Sequence, residues 1–275
     1  MSIMYNLSLL KITMVSALLG SATLSHAEKN QGLDIGLISE TTTVVPGQPF
    51  TVGLHIHHHE GYHTYWQNPG SVGLATKIDW KLPEGFTSSD IRWPYPELTK
   101  MASHPCHGYE RDVTLLVTIT PPKTIAAKEV TLTASAGWMC CASKCHPGFK
   151  EFTLNLNVGD QTTADPKAKK LIATAQQEIP KVSQAWSASI LTGSSDKTIQ
   201  VKISPPAETP AKDVYLFSCD GQISSDKEQK LKVQPDGSWL LSVERSEFSP
   251  ENSKRLTSVL KAGGQYILID PKYSQ

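Results

Sequence analysis

The chain has 275 residues, 26 basic and 26 acidic, and so a formal net charge of zero. Apolar residues make up 39% of it, which excludes disorder and collagen, and five Cys over this length are too sparse for a disulfide scaffold that replaces a core. Balanced charge argues against a nucleic-acid partner, whose binders are usually basic, and the length fits one large domain or two of ordinary size.

Residues 1–27 carry one charge, Lys11, then an apolar run from Ile12 to Leu24 and the small-x-small ending Ser25-His26-Ala27. This pattern predicts a cleaved secretory signal peptide; the run is short for a membrane span. No second run of spanning length follows, so a soluble mature chain from Glu28, without stable membrane insertion, is expected in a compartment where disulfides persist.

The body alternates with period two. Phe50, Val52, Leu54 and Ile56 alternate with Thr51, Gly53, His55 and His57, and Val113–Ile119, Val130–Ala136 and Phe152–Val158 repeat the pattern. Such alternation predicts half-buried antiparallel strands. Asp165 and Pro166 then form an N-cap and first helical residue, Ala168, Leu171, Ile172, Ala175 and Ile179 follow at helical spacing, and Pro180 closes the segment. Alternation resumes at Ile199, Val201 and Ile203, Pro235-Asp236-Gly237 marks a hairpin turn, and Tyr266–Ile269 ends the series. The expected fold class is all-β, with two immunoglobulin-like β-sandwich domains joined by a short helix: residues 28–160, a helical linker at 161–180, and residues 181–275.

Four cysteines, Cys106, Cys140, Cys141 and Cys145, lie in the first block, and Cys219 stands alone in the second. The stretch Trp138-Met139-Cys140-Cys141-Ala142-Ser143-Lys144-Cys145-His146-Pro147-Gly148 connects two predicted strands. A hairpin loop at Ala142-Ser143-Lys144 would place Cys141 opposite Cys145, within disulfide range; Cys140 opposite Cys145 is the other closing pair. A bridge over so short a loop constrains the unfolded chain little, which suits switching better than stapling. Lys144 and His146 flank Cys145, where a positive charge would favour the thiolate.

This stretch resembles the cysteine motif of the N-terminal periplasmic domain in the DsbD/ScsB thiol:disulfide interchange family, matching it at Trp138, Cys141, Cys145, Pro147 and Gly148. The run Gly61-Tyr62-His63-Thr64-Tyr65-Trp66-Gln67-Asn68-Pro69-Gly70, then Gly73-Leu74, is similar to a second family motif, as are Trp93-Pro94-Tyr95-Pro96 and Gly108-Tyr109-Glu110. The resemblance covers nearly the whole mature chain. It implies a periplasmic module that relays reducing equivalents from a thioredoxin-like or DsbD/ScsB-type donor to oxidised protein substrates, as a component of a protein-disulfide reductase. Cys141 and Cys145 would be the redox pair, Cys140 and Cys106 resolving or alternative partners, and Tyr109 a shield; Trp138, Lys144, His146 and Pro147 would surround the pair. No cofactor is implied. A stand-alone module, without the family's membrane part and thioredoxin-like domain, is expected.

Two other functions compete. Cytochrome c-type biogenesis and copper tolerance are associated with such proteins, and His55, His57 and His59 on one strand face, with nearby thiolates, are the alternative metal set. Their place opposite Phe50–Ile56 reads more simply as a solvated polar face, with no metal. A structural binding module with stabilising disulfides is the second rival. Trp66, Trp80, Trp93 and Trp138 are expected to fill the core or line the cysteines.

Overall fold

The computed structural model describes residues 28–191 and 197–273; the expected signal peptide lies outside the described residues. Two sheets make the first sandwich. One orders Glu28–Asn30, Leu33–Ser39, Phe50–His58, Val113–Thr120 and Thr87–Ser88; the other orders Thr43–Val44, Cys145–Val158, Glu129–Cys141 and Lys77–Lys81. Period-two alternation places Leu54, Ile56, Leu115 and Val117 on one inner face and Leu132, Ala134, Phe152 and Leu156 on the other, all in one buried core.

The outer face of the first sheet is not solvated throughout, as its polar residues suggested. Thr51 and Thr114 are buried, and Leu116 packs with Ile172 and Ala175 of the helix Pro166–Glu178. The helix starts where the sequence placed it, with Asp165 Oδ1 accepting the Ala168 amide at 2.9 Å. Its apolar stripe covers the first sandwich, so it is docked rather than suspended between two blocks.

The second sandwich pairs the sheet Lys181–Val182, Gln265–Ile269, Ser258–Ala262, Tyr215–Ser218 with the sheet Ser187–Ile190, Thr198–Ser204, Trp239–Glu244, Lys230–Val233. Ile199, Val201, Ile203, Trp239 and Leu241 fill its own core. The predicted turn forms at Gly237, whose φ of 79° is the left-handed conformation that glycine adopts freely. Phe217 and Val259 of this block are buried in the core of the first. Rings cross the same seam: Tyr95 stacks on Tyr266 at 3.9 Å, and Trp66 meets Phe217 edge-on at 6.1 Å.

A small third sheet, in the order Thr64–Tyr65, His104–Tyr109, Glu97–Met101, folds over one end of the first sandwich. It carries the segment that decides the surroundings of the cysteines.

Candidate functional site: a disulfide at a hairpin tip

The strands Glu129–Cys141 and Cys145–Val158 pair in one unbroken register that ends with Cys141 opposite Cys145. Ala142-Ser143-Lys144 makes the turn, with the Ala142 amide donating to the Lys144 carbonyl at 3.0 Å. The two cysteines are joined, Cα to Cα 4.1 Å. Register settles the choice that the sequence left open: Cys140 stands opposite His146, and alternation points its side chain to the other face of the sheet from Cys141.

The two bridged residues differ in access. Cys145 is exposed, whereas Cys141 is fully buried. His63 covers Cys141 through a pair of backbone hydrogen bonds, each 2.9 Å. Two residues on, Tyr65 lies on the same face. Its hydroxyl donates to Cys141 Sγ at 3.0 Å and sits 4.0 Å from Cys145 Sγ. Burial pushes the Tyr65 phenol above its ordinary value, so it remains a protonated donor at neutral pH. Tyr65 lies within the second family-like motif, and nothing in the sequence assigns it a role. The signal lay in the two-residue step from His63, but only tertiary pairing shows which strand that face meets.

The free cysteines separate by environment. Cys106 is buried in one small apolar cluster with Tyr65 and Cys141, and its Sγ lies 3.0 Å from Thr99 Oγ1. Burial raises its thiol pKa. Cys140 sits in the main core beside Trp138, pushed up to about 11 by burial. Cys219 is half-buried at the seam and pushed up to about 12, again chiefly by burial. None of the three has the electropositive, accessible surroundings that make a reactive thiol.

Other expected residues fall into place differently. Tyr109 does not shield the pair: its ring is in the main core and its hydroxyl donates to the Pro94 carbonyl at 2.8 Å, because alternation turns it away from Cys106 and Tyr65. Lys144 is exposed in the turn, and Pro147 is exposed on the same face as Cys145. His146 points to the other face, its ring 6.4 Å from Tyr62. Trp138 is buried, and its indole lies where a Cβ on Gly148 would be, 2.3 Å from Trp138 Cε2. That close approach explains why a glycine stands there.

The alternative metal set does not assemble. His55 Nδ1 is 2.9 Å from Thr114 Oγ1, His57 Nδ1 is 2.8 Å from Asp112, and His59 Nε2 is 3.4 Å from Asp34. Among the described residues no three His, Cys, Asp or Glu side chains group as a metal ion requires. His58 instead is structural. Buried, it bridges the Arg111 carbonyl at 2.7 Å and Thr64 Oγ1 at 2.9 Å, and burial holds its pKa at about 4. It thereby anchors the strand that carries Tyr65.

A family model for the N-terminal part of thiol:disulfide interchange protein DsbD matches residues 37–157. The chain carries a DsbD N-terminal domain. Within this DsbD N-terminal domain lie both bridged cysteines, the hairpin and the covering sheet. Among solved structures, the N-terminal periplasmic domain of ScsB from Proteus mirabilis aligns with a TM-score of 0.64 and 15% identity, over 90% of this chain and 95% of that one. At that identity the likeness speaks for the fold alone, and its coverage takes in the second sandwich. A marsupial T cell receptor aligns at 11% identity over 90% of this chain and 100% of that one, with a TM-score of 0.22, too low to carry an argument. No curated protein matches. Among the described residues no helix is long and apolar enough to cross a membrane.

Proposed function

We propose that this protein is a periplasmic thiol:disulfide exchange module that relays reducing equivalents from a thioredoxin-like or DsbD/ScsB-type donor to oxidised protein substrates. The observation that carries the reading is the asymmetry of the Cys141–Cys145 bridge: one residue open to solvent, the other buried beneath a hydroxyl donor. An exchange disulfide needs an accessible sulfur to be attacked and a good leaving group behind it.

The steps follow from that geometry. A donor thiolate attacks Cys145 Sγ, forming a mixed disulfide, and the Cys141–Cys145 bond breaks. Cys141 leaves as a thiolate, held by the Tyr65 O–H until it takes up a proton. The donor's second thiolate then attacks the donor sulfur of the mixed disulfide and releases Cys145 as a thiolate, which is protonated in turn. Two electrons and two protons have moved, leaving the donor oxidised and the pair reduced. Reversal on an oxidised substrate returns the bridge. Lys144, exposed one residue before Cys145, supplies positive charge near the incoming thiolate.

Of the alternative partners, Cys106 shares the cluster with Cys141, whereas Cys140 faces the core; we therefore give Cys140 a packing role and keep Cys106 as the neighbouring thiol, one whose burial keeps it from initiating exchange. The reading includes removal of residues 1–27 on secretion. It also divides the chain into an exchange domain, 28–160, the helix-bearing junction 161–180, and a supporting domain, 181–275. Cys141→Ala tests the assignment. The free Cys145 should trap an oxidised thioredoxin-type protein as a mixed disulfide seen by non-reducing mass spectrometry, its thiolate attacking the partner's disulfide and releasing one partner thiolate; Cys145→Ala should trap far less. Equal trapping by both variants would overturn the assignment of Cys145 as the attacked sulfur.

A further inference from the structure

The hairpin that ends in the disulfide has an outer face whose chemistry changes abruptly along its length. Register sets the rows across it. The bridge itself is the first row, Met139 with Pro147 the second, and Lys77, Gly137 and Phe149 the third. Beyond these the same face turns polar: Asp79, Ser135 and Glu151 form the fourth row, and Lys81, Thr133 and Thr153 the fifth. The apolar part is thus confined to the rows next to the exposed sulfur. Phe149 is 76% exposed, with its ring across Gly137, and Pro147 is exposed as well. Neither belongs to the core, which the other side of the same strand fills with Phe152, Leu154 and Leu156. Met139, half-buried against Tyr65, Cys106 and Cys141, makes the strip continuous with the apolar cluster under the bridge.

Charge follows the same division. Lys77 in the third row and Lys144 in the turn are the charged side chains of the hairpin's apolar end, and the first carboxylates, Asp79 and Glu151, come in the fourth row. Such a surface suits a partner that brings an anionic sulfur at the centre of an apolar face.

We propose that the strip Pro147–Phe149, with Met139 beneath it, is the docking surface for the dithiol protein that reduces Cys145, a partner of thioredoxin type whose attacking thiolate is ringed by apolar side chains. The proposal rests on the exchange reading above and adds the surface that selects a protein thiol over a small one. Docking along the strip lays the partner's sulfur at the open end of the Cys141–Cys145 bond.

The test compares two second-order rate constants for reduction of the full mature chain, one with reduced bacterial thioredoxin and one with dithiothreitol, followed by alkylation and intact mass. Phe149→Ser should lower the thioredoxin-to-dithiothreitol ratio about tenfold, or about 1.4 kcal/mol at the transition state. Phe149→Leu should recover most of the loss, and Thr153→Ala, on the polar rows, should leave the ratio as it is. A ratio within twofold of wild type in Phe149→Ser overturns the docking surface while the exchange reading stands. A wild type that is a dimer by gel filtration, and that Phe149→Ser makes monomeric, also overturns it, since the strip would then belong to a second copy of the chain. A wild-type bridge inert to both reductants overturns the exchange reading and the surface together.

Discussion

Replacing Tyr65 by Phe removes one atom, the hydroxyl oxygen 3.0 Å from Cys141 Sγ, and keeps the buried ring. Cys141 is the leaving group when a thiolate attacks Cys145, and its sulfur gains charge as the bond breaks. A hydrogen bond to a charged group is worth about 1.5–3 kcal/mol. If about half of that is felt at the transition state, reduction slows by roughly 4- to 12-fold. The oxidised protein should keep its stability, because a bridged sulfur is a weak acceptor and its loss of a donor costs little. The assay is pseudo-first-order reduction by dithiothreitol at pH 8, quenched with an alkylating reagent and read by mass, with thermal melts of both oxidised proteins beside it. A Tyr65→Phe rate within twofold of wild type, at unchanged melting temperature, would refute the assignment of Tyr65 as the donor to the leaving sulfur.

Further expectations concern packing and pH. Gly148→Ala puts a methyl group into the Trp138 indole and should cost about 1–3 kcal/mol in urea denaturation; an unchanged midpoint would mean that the indole moves aside freely. Cys140→Ser places a hydroxyl in the main core and should cost about 1–3 kcal/mol while leaving the rate of reduction by dithiothreitol as it is; a changed rate would bring Cys140 into the exchange. His58 and His107 are both held at about 4 by burial, against 6.5 for an ordinary histidine. The unfolded chain therefore binds more protons between those values, and stability should fall as pH drops from 6.5 toward 4 and be complete above that window. Between pH 7.5 and pH 5 the loss is about 2 kcal/mol per histidine, measurable by urea titration at the two values; a flat profile would contradict the neutral, buried state of these rings.

His107 also shows why the second sandwich belongs to the account. Its Nε2 lies 3.0 Å from Tyr215 Oη and its Nδ1 3.2 Å from the Asn68 carbonyl, while Asn68 Nδ2 donates to the Ser218 carbonyl at 2.6 Å. Ser225 likewise takes the place beside Gly70, with its hydroxyl accepting the Ser71 amide at 3.1 Å. The loop that continues from Tyr65 is thus tied down by the second block.

The long strands and the helix were legible because each carries a clear period: Phe50–Ile56, Val130–Ala136 and Phe152–Val158 alternate, and Ala168–Ile179 repeats at helical spacing. Cys141 and Cys145 were legible as a pair from the three-residue turn between them, yet Cys140 remained a rival until register fixed the faces. The covering sheet was not legible. Its strands Glu97–Met101 and His104–Tyr109 mix charged, polar and proline residues without alternation, since one side meets the disulfide cluster and the other meets the seam. For the same reason the family resemblance points to Tyr109 as the shield and leaves Tyr65 without a role: local sequence does not give the direction of their side chains. The polar face of Phe50–His58 misled in the other sense, because nothing local shows that a distant helix covers it.

The reduction potential of the Cys141–Cys145 pair tests the central claim most directly. The mature protein would be equilibrated in dithiothreitol and glutathione redox buffers, its thiols trapped, and the pair mapped by mass spectrometry. An exchange disulfide should titrate well above about −300 mV, with Cys141 and Cys145 alkylated together. A bridge that stays oxidised below that value would mark a structural staple and contradict the relay.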